Sequence, residues 1–370
     1  MMMSFSLSSG SSSGTARTRL AALIFLPLVL IGGALWLSAC QGGDGGSEVS
    51  DRVSALFEPL PEEAPVPDDN PMTEARVDLG HKLYFEPKLS RSGTISCNTC
   101  HVVGAAGVDH RAVAIGEGAR EGRRNSPTVY NAAFLESQFW DGRAETLEEQ
   151  AKGPIQAHVE MDLTKEEAVS RLRETGYLPL FEKAFPKADT ALTFDHIADA
   201  IAAFERTLTT PGAPFDRYLE GNEEALSKKQ QAGLELFMNS GCAGCHRGPM
   251  LGGQGYANFS HAKGDGDVGR AEVTGEEADR YSFRIASLRN VEKTYPYFHD
   301  GSAKTLREAV SIMGESQLGR TFNEKEVERL VAFLESLTGE FPSVPYPKLP
   351  RTPGSGAPSA SGSPASTSGP

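Results

Sequence analysis

Cys97-Asn98-Thr99-Cys100-His101 and Cys242-Ala243-Gly244-Cys245-His246 are the two stretches whose reading decides the fold. Each is C-x-x-C-H, a pattern in which two thiols reach the two vinyl groups of one haem and the adjacent histidine ligates its iron. A zinc site usually needs a second ligand pair for each C-x-x-C, and a redox dithiol expects a βαβ context that is absent here. A disulfide is the other competing pattern. Two intact copies point instead to two covalently attached c-type haems. Cys97, Cys100 and His101 hold one, and Cys242, Cys245 and His246 hold the other.

The chain has five cysteines, so these motifs leave one over, Cys40. Arg17 and Arg19 precede an apolar run from Leu20 to Leu37, and no acidic residue comes before Cys40. Leu37-Ser38-Ala39-Cys40 resembles a bacterial lipobox, whose cysteine is lipidated and becomes the mature N-terminus. An uncleaved anchor is the competing reading, because about 20 apolar residues span a bilayer. On either reading the rest of the chain is exported and tethered, with the periplasm as its expected location. The formal net charge of −13 becomes more negative when the leader's two arginines are removed. Such a surface excludes nucleic acid as a partner. It suits a basic redox carrier, or simply solubility.

At 370 residues with 39% hydrophobic and 23% charged content, the chain reads as a soluble globular protein of two domains with tails. We divide it into a lipoprotein signal peptide at 1–40, a Gly- and Pro-rich flexible linker at 41–70, haem domains at 71–222 and 223–345, and a disordered tail at 346–370. Asn70-Pro71 reads as the opening of a helix that runs through Phe85. Capping boxes recur at Thr164/Glu167, Ser227/Gln230, Thr305/Glu308 and Asn323/Glu326, with Phe322 and Val327 as a hydrophobic staple. Val327, Leu330, Val331, Leu334 and Leu337 fall on one helical face, as Ile197, Ile201 and Phe204 do earlier. No stretch alternates like a strand. The fold class is therefore mainly α, two cytochrome c-like haem domains with long loops. A weak internal repeat supports the pair, since Gly80 to Phe85 precedes the first motif as Gly233 to Phe237 precedes the second.

The sixth position on each iron decides function, because a strong second ligand makes an electron carrier and an open position permits chemistry on peroxide. By residue type alone, His81, His110, His158, His196, His261, His299 and the methionines after the initiator are all candidates.

Other segments narrow the choice. Asn125-Ser126-Pro127-Thr128-Val129-Tyr130-Asn131, Phe139-Trp140-Asp141-Gly142-Arg143, Gly153-Pro154-Ile155 and Glu160-Met161 resemble the bacterial di-haem cytochrome c peroxidase family, within the wider cytochrome c peroxidase and MauG superfamily. Phe283 to Asn290, Tyr297-Phe298-His299-Asp300-Gly301 and Met313 are similar to its C-terminal module, so the resemblance covers about residues 70 to 340.

The resemblance implies an electron-accepting haem on His246, with Met313 as sixth ligand, and a peroxide site at the haem on His101. Glu160 is then the acid/base and Gln150 beside it holds the substrate oxygen; Glu148 and Glu149 are weaker alternatives for the carboxylate. Trp140 becomes an electron relay, and Asn125, Thr294 and Pro296 a calcium site. Many family members have a histidine sixteen residues after the first haem-ligating histidine, which blocks the peroxide site until the other haem is reduced. Here that position is Glu117, and His110 is the nearest substitute. The implied activity is reduction of hydrogen peroxide to water with electrons from a small periplasmic cytochrome c or cupredoxin, and the family is often dimeric. The rivals are a MauG-like oxidase of partner side chains and a non-catalytic carrier. Met313 favours the peroxidase, because MauG-like relatives have tyrosine there.

Overall fold

The computed structural model describes residues 45–351, apart from 260 and 262–265. Cys40, its leader and the tail from 352 onward lie outside the described residues. Helices follow in the order α1 (Gly45–Leu56), α2 (Glu74–Tyr84), α3 (Cys97–Cys100), α4 (Leu147–Gln156), α5 (Lys165–Glu174) and α6 (Leu178–Ala184). Then come α7 (Phe194–Glu205), α8 (Pro214–Leu219), α9 (Lys228–Ser240), α10 (Ala271–Thr274), α11 (Leu306–Leu318) and α12 (Glu324–Glu335). The fold is mainly α, as the sequence reading has it. It also holds two short antiparallel strands, β1 (Tyr256–Asn258) and β2 (Ser282–Arg284), paired Tyr256 to Arg284 and Asn258 to Ser282. Three residues are too few to show an alternating pattern, so the sequence reading misses them. No described helix is long and apolar enough to cross a membrane.

Among the described residues two large hydrophobic clusters make up most of the core. In the first, α2 packs on α7 through Leu79, Leu83, Ile197, Ile201 and Phe204. In the second, α9 packs on α12 through Leu234, Phe237, Leu330, Phe333 and Leu334. The repeated glycines have a physical reason. A Cβ on Gly80 would stand 1.7 Å from the Ala200 carbonyl oxygen, and one on Gly233 2.0 Å from that of Arg329. Each glycine lets one helix cross directly over the backbone of its partner.

The repeat extends into the loops. Phe139 and Phe298 both have positive φ (67° and 72°), each followed by an aromatic ring residue, an aspartate and a glycine. Asn131 and Asn290 also share the left-handed region (φ 63° and 59°), which asparagine tolerates. Their amides both donate to the Thr210 hydroxyl, at 2.7 and 2.8 Å, which joins the two halves in the interior.

Thr164, Ser227 and Asn323 form capping boxes as expected. Thr305 caps α11, but the Glu308 carboxylate accepts from Lys304 N rather than from Thr305. Asn70 does not cap α2. Thr73 does, because the Asn70 side chain is engaged by Glu148, Asp199 and Arg76. Part of the expected linker is structured: α1 lies within 41–70, and Val53, Phe57 and Leu60 are buried. Val53 and Phe57 enter the second cluster. The start of the expected tail is likewise held. Leu349 packs on the first cluster and Tyr346 on Phe85. Apolar residues spaced inside Pro-rich stretches are easily read as spacers, and only the facing surface shows them to be anchors.

Candidate active site

His101 ends the short helix α3 and lines a cavity of about 580 Å³ together with Cys97 and Cys100. Its Nδ1 lies 2.9 Å from the Pro127 carbonyl. A carbonyl only accepts, so Nδ1 carries the proton and Nε2 is left as the metal-binding atom. Tyr84 steadies the same residue, donating to its carbonyl at 2.6 Å. The two thiols are not joined in a disulfide. Burial pushes the Cys97 thiol up and that of Cys100 to about 11. Unpaired thiols and a correctly polarised histidine on one cavity wall fit a covalently held haem. Among the described residues, no group of three or more His, Cys, Asp or Glu is placed to hold a metal ion by itself.

Gln150 on α4 and Glu160, in the turn that follows it, line this cavity too. Burial raises the Glu160 carboxyl above the ordinary glutamate range, and the nearby Arg143 opposes that rise. Arg143 is itself held, its guanidinium 3.4 Å above the Phe139 ring and 3.0 Å from Asp141. The alternative carboxylates are employed elsewhere. Glu148 pairs with Arg206 at 2.7 Å and Asn70 at 2.6 Å, Glu149 accepts from Glu145 N at 2.8 Å, and neither lines the cavity.

Glu117 is 5% exposed, turned to Ser92, and absent from the cavity wall. His110 is not a substitute ligand here. Its ring stacks on Tyr295 with centroids 4.2 Å apart, its Nδ1 lies 2.8 Å from the Tyr295 carbonyl, and it does not line the cavity.

The sequence reading also misses Glu205, a cavity-lining carboxyl that burial pushes to about 8. A signal was present. Ile197, Ile201 and Glu205 fall at i, i+4, i+8, which puts an acid on the apolar face of α7.

A second cavity, of about 330 Å³, is lined by Cys242, Cys245 and His246, and by Met313 from α11. His246 repeats the polarisation of His101, with Nδ1 3.1 Å from the Leu251 carbonyl. Met313 packs against the buried pair Phe259 and Phe283.

Trp140 lines both cavities. Its Nε1 donates to the Asn125 carbonyl at 2.9 Å, and its own carbonyl accepts from Arg284 N at 2.8 Å. Arg284 also lines the second cavity, and burial lowers its guanidinium to about 10. Asn125, Thr294 and Pro296 all line the second cavity. Asn125 Nδ2 donates to the Arg111 carbonyl at 2.7 Å.

Comparison with known proteins agrees with this geometry. Residues 74–224 match the family model for di-haem cytochrome c peroxidase, and 230–338 that for cytochrome c. The chain is similar to cytochrome c551 peroxidase of Pseudomonas aeruginosa, 48% identical over 86% of this chain and 94% of that protein. It is also similar to methylamine utilization protein MauG of Methylorubrum extorquens, 35% identical over 89% of this chain and 98% of the other. A solved MauG-like protein associated with microbial copper homeostasis superposes with a TM-score of 0.70 at 30% identity, covering 76% of this chain and 94% of its own. Two covalent haem sites on one helical scaffold, with a tryptophan in the wall between them, thus coincide with close sequence kinship: the chain belongs to the di-haem cytochrome c peroxidase family.

Proposed function

We propose that this chain reduces hydrogen peroxide to water at the His101 site, using electrons that a small periplasmic cytochrome c or cupredoxin delivers at the His246 site. The observation that carries the reading is the placement of Trp140 in the wall of both cavities, one containing Gln150 and Glu160, the other Met313. Haem c held by the two motifs would supply redox-active iron at both sites, with His101 and His246 as the residues that would hold it and Met313 as a further sulfur donor at the second. Peroxide takes up two electrons and two protons and leaves as two waters. Glu160 accepts a proton from one peroxide oxygen and returns it to the other, while the Gln150 amide hydrogen-bonds the substrate. Arg143 favours the charged form of Glu160, the form that exists before the proton is taken and after it is returned. Trp140 stands on the electron path between the sites.

The side chain of Asn125 and the carbonyls of Thr294 and Pro296 offer the hard oxygen ligands that calcium prefers. Lipidation of Cys40 tethers the protein in the periplasm, domains 71–222 and 223–345 carry one haem each, and two copies pair as a homodimer.

The path is tested with Met313→Ala. Oxidation of the donor should fall at least about tenfold while the fully reduced protein still reacts with peroxide; undiminished donor oxidation removes the His246 site from the path. With Glu117 turned away, the His101 site is open to peroxide even in the oxidised protein. An EPR spectrum with a high-spin ferric component supports this, and two purely low-spin haems contradict it.

A further inference from the structure

The turn that carries Glu160 is clasped by two other segments, and Glu117 touches both partners. Ser92 donates twice to the same Glu117 oxygen, from its backbone N at 2.8 Å and its hydroxyl at 2.6 Å. The Glu117 N–H in turn donates to the Glu160 carbonyl at 2.8 Å. Gly116 lies so close to that turn that a Cβ would fall 2.1 Å from the Val159 carbonyl oxygen and 2.7 Å from the Glu160 Cα. Arg120 closes the other side, donating to the His158 carbonyl at 2.8 Å.

An unpartnered charge at a buried position is costly, and a carboxylate persists there only with donors of its own. Burial works against the charged form of Glu117, and the Ser92 donors, joined by the Ser90 hydroxyl, more than offset it, leaving the carboxyl below the ordinary glutamate range. The anchor is therefore a charge-assisted one. It fixes the loop whose amide holds the Glu160 backbone, and displacement of a reacting group by 1 Å costs on the order of 10²-fold in rate.

We infer that Glu117 is a positioning residue for Glu160: fastened to Ser92, it sets the backbone from which the Glu160 carboxyl enters the His101 cavity. The inference rests on the peroxidase reading of that cavity. It assigns to the unusual residue at this position an active part in catalysis, exerted through its neighbour.

The test compares the wild-type holoprotein with Glu117→Ala, Glu117→Gln and Ser92→Ala. Hydrogen exchange is followed in residues 115–122 and 157–163, and the rate of reaction with peroxide is measured across pH. Glu117→Ala should speed exchange in both segments and lower the rate constant for peroxide by about 10- to 100-fold. Its acid limb should move down toward the ordinary glutamate range as Glu160 loses its buried setting. Glu117→Gln keeps an oxygen acceptor for Ser92 and should stay within about threefold of wild type, with Ser92→Ala between the two.

Unchanged exchange in Glu117→Ala overturns the inference. So does faster exchange with an unaltered rate and pH profile, or a Gln variant as impaired as the Ala variant. A wild-type protein that leaves peroxide untouched overturns the peroxidase reading, while the exchange data still report separately whether Glu117 holds the turn.

Discussion

Glu160 sits where burial and one cation compete, and the competition is measurable. To accept a proton it must be ionised, and burial raises its pKa, so the rate should fall as pH drops through a value above the ordinary glutamate range. Arg143 favours the anion. Arg143→Met should therefore shift this acid limb further upward in a pH–rate profile. Glu160→Gln, which keeps the shape and removes the base, should lower the peroxide reaction by about 10²- to 10⁴-fold in rapid mixing, with the haem absorption of the resting protein unchanged. The haem-attaching residues were legible because covalent chemistry demands them at fixed spacing. Glu160, Gln150, Trp140 and Met313 were reached only by resemblance, and a cavity now contains each of them. Glu205 was legible in principle, standing at helical spacing with Ile197 and Ile201; Arg284 was not, because a lone charge in an apolar segment has no spacing rule and only the surrounding burial gives it meaning.

Among the elements, the helix pairs α2/α7 and α9/α12 were the most legible, because apolar positions at helical spacing and a repeated glycine before each motif are both written in the sequence. What the sequence withheld is why the glycines recur, which requires the carbonyls of Ala200 and Arg329 across the crossing. Gly233→Ala should consequently destabilise the second core by about 1–3 kcal/mol or more in denaturant unfolding, despite the better helix propensity of alanine. Caps were predicted from local pattern and mostly occur. Asn70 is the instructive miss, since tertiary hydrogen bonds claimed its side chain and Thr73 took over the cap. Thr210 shows the same limit at a loop. Both Asn131 and Asn290 donate to its hydroxyl in the interior, and Thr210→Val should cost about 1–3 kcal/mol by leaving two buried amides short of an acceptor.

At the scale of the molecule, the two ends of the described chain exchange cores. Phe57, from the N-terminal segment, enters the second cluster, and Phe341, Val344 and Leu349, from the C-terminal segment, pack on the first. Asp216 secures the incoming N-terminal strand of chain, accepting from Leu60 N at 3.1 Å and pairing with Arg289 at 2.6 Å, both charges almost fully buried. Asp216→Ala leaves the Arg289 cation without its counter-charge. It should cost about 3–5 kcal/mol in thermal or denaturant unfolding, far more than loss of an exposed pair. This exchange was invisible in composition, which marks both ends as Gly- and Pro-rich.

The central claim is that the two sites act in sequence, electrons arriving at one and peroxide consumed at the other. Its most direct test is steady-state turnover of the holoprotein with hydrogen peroxide and a reduced small cytochrome c. The account predicts saturable turnover in which two donor molecules are oxidised for each peroxide consumed. Peroxide consumption without donor oxidation, or no consumption at all, would contradict it.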